Sequence, residues 1–316
     1  MRMIDAAEVH ANLTYERCIP VVRSAMIALS GGETRQLLRS IMHFEDGRMF
    51  GVMPGALGDT AAFGAKVLSV FPRNFEIGRP SHQGVVLMFD PVSGELACVA
   101  EARSITAIRT AAASAVATDA LARPDARRLL LMGYGEQAWT HLQAVPQVRK
   151  LDSITVWGRS PERAQAFADR ARAELGLTVA VAANAQAAAA EADIICTVSA
   201  SPEPILKGAW VAPGTHVNLV GSSFAGPAEV DNDFVARSRF IADYREGILK
   251  QGAEFLHAKA AGVVDDDHVA GEIGQVLSGA LAGRQSPDQI TAYKSIGHIV
   301  QDLASVEALL ALPPRA

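Results

Sequence analysis

The run LLLMG leads into GYGEQA and then into a helical pattern, so Gly133-x-Gly135-x-x-Ala138 falls where a first strand turns into a helix. Gly133 permits a tight turn, Gly135 lets backbone N–H groups approach a pyrophosphate, and the small Ala138 lets the helix pack on its strand. Gly133, Tyr134, Gly135, Glu136 and Gln137 are therefore candidates to bind a dinucleotide. The plainer reading is an ordinary strand-to-helix turn, and the regular alternation of strands and helices that follows favours the nucleotide. The second strand ends in VWGRSPERA, placing Arg159 and Ser160 where an NAD site carries a carboxylate for the ribose 2′-hydroxyl. A cation followed by a hydroxyl suits a 2′-phosphate, which favours NADPH while leaving NADH possible. A solvated loop charge is the alternative for Arg159.

Three further cations stand in apolar surroundings. Lys66 interrupts AAFGAKVLSVF, Arg39 interrupts QLLRSIMHF, and Arg109 lies four residues after Ile105 on the inward side of an Ala-rich helix. An isolated cation is rarely buried without an anion, because desolvation costs several kcal/mol. Two readings stay open: snorkelling stems and structural ion pairs, or a cluster beside the nicotinamide that holds a carboxylate substrate. His82 and Ser223 are candidates to line that site, with a core or surface histidine and a backbone-bonding serine as the alternatives. His216 and His298 read as structural, and Glu272 and Asp302 as helix charges or caps.

These residues need two kinds of scaffold. Ile19, Val22, Met26 and Ile27 have helical spacing within 14–30, with Gly31-Gly32 as the stop. From Gln36 to Ala100, short apolar runs alternate with turn signals at Asp46-Gly47, Pro72-Arg73-Asn74 and Asp90-Pro91, as in a sheet built of hairpins. Ser104 is placed to cap the long helix SITAIRTAAASAVATDALA, which Arg123-Pro124-Asp125 breaks. After residue 126 the pattern becomes βαβ, hence a parallel sheet covered on both faces. The expected fold is α/β, a Rossmann-type doubly wound sheet over 123–295 joined to an α+β domain over 1–122.

With 316 residues, 49% of them hydrophobic and 20% charged, the chain suits about two domains. A net charge of -5 with scattered Lys and Arg gives no basic face for nucleic acid. The three cysteines, Cys18, Cys98 and Cys196, are far apart and form neither a disulfide framework nor a zinc motif. Acidic residues near the start and the lack of a long apolar run lead us to expect neither a signal peptide nor a membrane span, and so a cytoplasmic protein without a bound metal.

The ordered motifs carry a resemblance as well. The Arg39 segment followed by GVMPG, then AKVLSVFPRN, PSHQGVVLMFD, ITAIRTAAASAVAT, GYGEQA, GEIGQVL and ITAYKSIGHIVQDLA resemble the ornithine cyclodeaminase/mu-crystallin family across nearly the whole chain. The resemblance implies a Rossmann domain on NAD(P)H, a substrate and dimerisation domain to which the C-terminal helix (about 296–316) returns, and a homodimer. By the same resemblance, Arg39, Lys66 and Arg109 bind the substrate carboxylate, with Lys66 and Arg109 catalytic, while Thr110, Thr197, Val198, Ser199, Lys294 and Ser295 contact the cofactor. The family's cyclodeaminases carry Asp in the loop VGSSFAGPAEVD, where this chain has Ser223, and a hydroxyl does not replace a carboxylate base near neutral pH. Reduction of a cyclic imino acid, 1-pyrroline-2-carboxylate or 1-piperideine-2-carboxylate, to L-proline or L-pipecolate is therefore expected. The alternatives are an ornithine cyclodeaminase, an alanine dehydrogenase-like enzyme, and a non-enzymatic NADPH-dependent binding protein.

Overall fold

The computed structural model describes residues 1–313, so residues 314–316 of the expected C-terminal helix lie outside the described residues. It divides into two units, Met1–Arg109 with the chain from Gly297 onward, and Thr110–Ile296.

The first unit contains β1 (Arg2–Ile4), α1 (Ala6–Asn12), α2 (Tyr15–Ser30), β2 (Arg35–Gln36), β3 (Ser40–His43), β4 (Met49–Ala56), β5 (Phe63–Val70), β6 (His82–Phe89), β7 (Leu96–Glu101) and the start of α3 (Ala102–Leu121). Strands β4 to β7 form an antiparallel meander in the sheet order β1-β7-β6-β5-β4-β2, with β3 also paired to β4. Successive side chains alternate across a sheet, so Met53, Lys66 and Val86, which are directly paired, share the inner face. That face buries Met53, Val70, Val86, Met88, Cys98 and Ala100. The helix Ile299–Leu310 packs against α2 and β4, and a Cβ at Gly55 would collide with Ile299, so only glycine permits this approach.

The second unit continues with β8 (Arg128–Met132), α4 (Glu136–Ala144), β9 (Ser153–Trp157), α5 (Pro161–Leu175), β10 (Ala180–Val181), α6 (Ala185–Glu191), β11 (Ile194–Thr197), β12 (His216–Leu219), α7 (Asn232–Arg237), β13 (Arg239–Ala242), α8 (Arg245–Gln251), α9 (Ala253–Ala260), β14 (Val269–Glu272), α10 (Ile273–Leu277) and β15 (Thr291–Lys294). All pairings in the sheet β10-β9-β8-β11-β12-β15-β13-β14 are parallel, and its first six strands follow the doubly wound order. Alternate residues serve opposite faces. Leu130, Met132, Ile195 and Val217 pack with Phe234 and Phe255 on one side, while Leu129, Leu131, Ile194 and Cys196 pack with Leu142 and Phe167 on the other. This is the α/β Rossmann architecture with a separate α+β unit.

Two details of the α3 segment differ from expectation. The helix starts at Ala102, and its cap is not Ser104. The Glu101 carboxylate accepts the N–H groups of Arg103 (2.8 Å) and Ser104 (2.9 Å). A side-chain oxygen just ahead of the first turn satisfies those donors, and a serine already inside the turn does not. The division between the units falls inside α3, ahead of the Arg123-Pro124-Asp125 break. Thr106 and Arg109 bond within the first unit, whereas Ser114 bonds His141 and Thr118 bonds Asn218 within the second.

Candidate active site

In the first unit, Lys66 on β5 and Arg109 on α3 are 5% and 4% exposed, and the wholly buried Asp302 of the C-terminal helix lies between them. Asp302 Oδ1 accepts from Lys66 Nζ and from Arg109 Nε, each at 3.1 Å. Lys66 Nζ also donates to the Thr106 hydroxyl, and Arg109 Nη1 donates to Gln301 Oε1 at 2.7 Å. Arg39, half-buried between β2 and β3, donates to the Gly297 carbonyl at 2.6 Å. Gly297 has φ +71, and a Cβ there would lie 2.5 Å from Arg109 Nη1, so glycine is required by both backbone and space.

Among the described residues, Lys66 and Arg109 share one carboxylate, Asp302, and Arg39 adds a further positive charge that Lys66 feels. Burial pushes the Lys66 ammonium down to about 8; Asp302 opposes that shift, and Arg109 and Arg39 reinforce it. Burial works against ionisation of Asp302, but Arg109 and Lys66 hold its carboxyl below the ordinary range. His298 is pushed down to about 3, by burial first and then by Arg109, and is neutral. The arrangement can hold an anion and supply a proton from Lys66. His82 opens β6, exposed, with Nδ1 3.0 Å from the Ser81 hydroxyl.

In the second unit, Gly133 follows β8 with φ +136, and a Cβ there would lie 2.6 Å from the Val198 carbonyl. Gly135 is the N-cap of α4, has no side-chain cap bond, and opens onto free space. The N-terminus of α4 thus keeps its backbone donors and its positive dipole end clear of side chains, as a pyrophosphate requires. The Tyr134 ring stands where a side chain at position 158 would be, and the Arg163 guanidinium lies 4.8 Å from its centroid. Arg159 is exposed beyond β9, and Ser160 caps α5 through Arg163 N while donating to Glu162 at 2.8 Å. The residues present fit a dinucleotide.

Thr197, Val198 and Ser199 end β11 and its loop, and the Ser199 N–H and hydroxyl both reach Glu229 Oε1, at 2.7 and 2.8 Å. Gly221 N donates to Glu229 Oε2 at 2.7 Å. Burial raises the Glu229 carboxyl above its ordinary value, opposed by the bonds from Ser199. Lys294, at the end of β15, places Nζ 2.7 Å from both the Ser222 carbonyl and Glu254 Oε2. Ser223 is half-buried in the loop after β12, Thr110 is buried on α3, and the buried Ser295 hydroxyl has no partner among the described residues.

A model of the ornithine cyclodeaminase/mu-crystallin family matches residues 1–310. The chain belongs to that family. Among members of the ornithine cyclodeaminase/mu-crystallin family, the ketimine reductase mu-crystallin of Mus musculus is 33% identical over 309 residues, 96% of this chain and 95% of that one. The Delta(1)-pyrroline-2-carboxylate reductase of Bacillus cereus is 32% identical over 305 residues, covering 96% of this chain and 94% of that one. The solved structure of Thermococcus litoralis Delta(1)-pyrroline-2-carboxylate reductase, in complex with NADH and L-proline, matches with a TM-score of 0.94 at 31% identity, over 98% of this chain and 97% of that one.

Arg39, Lys66 and Arg109 thus lie in the first unit of this family member, and the turn, Arg159 and the ends of β11, β12 and β15 in the second. Asp302 corrects its expected reading. It is neither a cap nor a surface charge but the shared counter-ion of Lys66 and Arg109. Nothing in the helix IVQDLASVEALL sets Asp302 apart from its second carboxylate, Glu307, which is exposed. Sequence reasoning also passed over Glu229 and Glu254, each 1% exposed or less.

Proposed function

We propose that this protein is a nicotinamide-dependent reductase of small cyclic imino acids, converting 1-pyrroline-2-carboxylate or 1-piperideine-2-carboxylate to L-proline or L-pipecolate. The observation that carries the reading is the excess of positive charge around Lys66, Arg109 and Asp302, with Arg39 alongside. A bound dihydronicotinamide supplies the hydride. Arg39 and Arg109 hold the substrate carboxylate, which offsets the excess positive charge of the cluster. Lys66 donates the proton that the imine nitrogen takes up as its carbon is reduced, so one C–H and one N–H bond replace the C=N π bond. A group with a pKa of about 8 is well matched to that transfer near neutral pH. Asp302 aligns Lys66 and Arg109 and keeps part of the charge balanced. Ser223, a hydroxyl in place of a carboxylate, disfavours ornithine cyclodeamination.

Arg159, exposed at the end of β9 with no carboxylate in its place, supports a preference for NADPH over NADH. The expected result is rapid loss of absorbance at 340 nm with NADPH and either cyclic imine alone. Oxidation only with pyruvate plus ammonia would overturn the substrate assignment in favour of an amino-acid dehydrogenase, and inertness with every imino and oxo acid would favour a binding protein.

A homodimer is supported by the outer face of the first unit's sheet, which presents Phe50, Val52, Phe63, Val67, Leu87 and Phe89. Phe50 and Phe63 are each 39% exposed, and Phe63 stacks on Phe89 with centroids 5.5 Å apart. An apolar sheet face of this kind suits self-association. Sedimentation equilibrium should give twice the chain mass, and a monomer at micromolar concentration would remove the proposal. Among the described residues no helix is long and apolar enough to cross a membrane.

A further inference from the structure

We infer that Lys294, Glu254 and Glu229 form a buried clamp on the loop after β12, which makes the Ser223 N–H a fixed hydrogen-bond donor to the carboxamide oxygen of a bound nicotinamide. The inference rests on the dinucleotide reading of the second unit and adds to it the residues that shape its nicotinamide end.

Ligands of doubly wound sheets bind outside the carboxyl ends of the strands, and the loops there must be held before binding if affinity is not to be lost in ordering them. Here the loop is held from beneath at two peptides, Val220–Gly221 and Ser222–Ser223. The Gly221 N–H is turned inward to Glu229 Oε2 at 2.7 Å, and the Ser222 carbonyl is turned inward to Lys294 Nζ at 2.7 Å. Glu229 also grips the neighbouring loop through the Ser199 N–H and hydroxyl, and its own N–H donates to Glu254 Oε1 at 3.3 Å. Glu254 closes the chain of contacts through its ion pair with Lys294, in which both side chains are 0% exposed. A Cβ at Gly221 would collide with the Ser199 carbonyl and with Glu229, so the two loops touch backbone to backbone.

The direction of the donor follows from peptide geometry. The chain contains no cis peptide bond among the described residues, so the Ser223 N–H points opposite to the Ser222 carbonyl. The carbonyl is directed at Lys294, so the N–H is directed away from it, and among the described residues it meets no acceptor. Lys294 therefore acts as a positioning residue through Ser222, its ammonium being wholly buried. Two carboxyl groups against one ammonium leave no excess positive charge behind the loop. The donor thus suits a neutral amide oxygen, while a substrate carboxylate belongs with the cations Arg39 and Arg109.

The test compares dinucleotides with their nicotinamide-free counterparts, NADPH with 2′-phospho-ADP-ribose and NADH with ADP-ribose. In the wild-type protein, NMR-detected exchange of the Ser223 amide should be fast without ligand, slowed by the dinucleotides, and unaffected by the nicotinamide-free nucleotides. In the charge-balanced double variant Lys294→Met/Glu254→Gln, calorimetry should give a Kd for NADPH raised about tenfold, the loss of roughly one hydrogen bond, with 2′-phospho-ADP-ribose unchanged. Equal weakening of both ligands, or a Ser223 amide that ignores the nicotinamide, would overturn the clamp. If the double variant does not fold, the wild-type exchange decides alone. Failure of every nucleotide to bind the wild-type protein would instead refute the dinucleotide reading.

Discussion

Lys66→Met should lower kcat for cyclic imine reduction by about a thousandfold, the middle of the range for a lost general acid, while leaving dinucleotide affinity unchanged. The size follows from where the side chain sits. Lys66 Nζ is buried and bonded to Thr106 and to Asp302, whereas His298, pushed down to about 3, and Asp302, held below the ordinary carboxyl range, hold no proton to give near neutrality. Methionine is close in length and apolar, so the strand should keep its packing, and Arg109 remains to neutralise Asp302. The wild-type pH profile supplies the second half of the prediction. The ammonium form is the donor, so kcat/KM for reduction should be level at lower pH and fall as pH rises through about 8, the value to which burial brings Lys66. In Lys66→Met the small remaining activity should lose that alkaline limb. Activity within tenfold of wild type, or an alkaline limb that survives the substitution, would show that the proton comes from elsewhere.

How much of this was legible in the sequence depends on where each signal is stored. The Rossmann sheet was legible because β8 and β11 are buried on both faces and read as short apolar runs, and because Gly133 and Gly135 mark the turn at which backbone must approach phosphate. Lys66 and Arg109 were conspicuous because a charge interrupting an apolar run needs a partner. The partner itself was not legible. Asp302 lies 236 residues from Lys66 and 193 from Arg109, and nothing local distinguishes it from a surface carboxylate. Glu229 and Glu254 escaped for the same reason: their partners are backbone groups and a lysine brought close only by the ends of different parallel strands. The three-residue strand β1, parallel to β7, is too short to leave a periodic pattern, and the start of α3 was misplaced because the capping carboxylate belongs to the residue that also ends β7.

Asp302→Asn should be the most damaging single-atom change in the first unit. The substitution keeps the shape but removes the carboxylate that, among the described residues, pairs with two cations that are 5% and 4% exposed. Breaking a buried ion pair by neutralising one member costs about 3 to 5 kcal/mol, because the remaining charges stay desolvated without compensation. Guanidinium unfolding should therefore show a midpoint well below wild type at pH 7. The sign of the pH dependence is fixed by the same contacts. Asp302 is held below the ordinary carboxyl range, so its contribution is present above the unfolded value and lost as pH falls through the folded one. The wild-type and variant stabilities should thus converge in acid. The catalytic profile should move as well, since Asp302 opposes the downward shift of Lys66. Without it the Lys66 ammonium is less favoured, and the alkaline limb of kcat/KM should slide to lower pH in whatever fraction of the variant remains folded. A variant as stable as wild type, or one whose limb stays near 8, would mean that the charge of Asp302 is not what holds Lys66 and Arg109 in place.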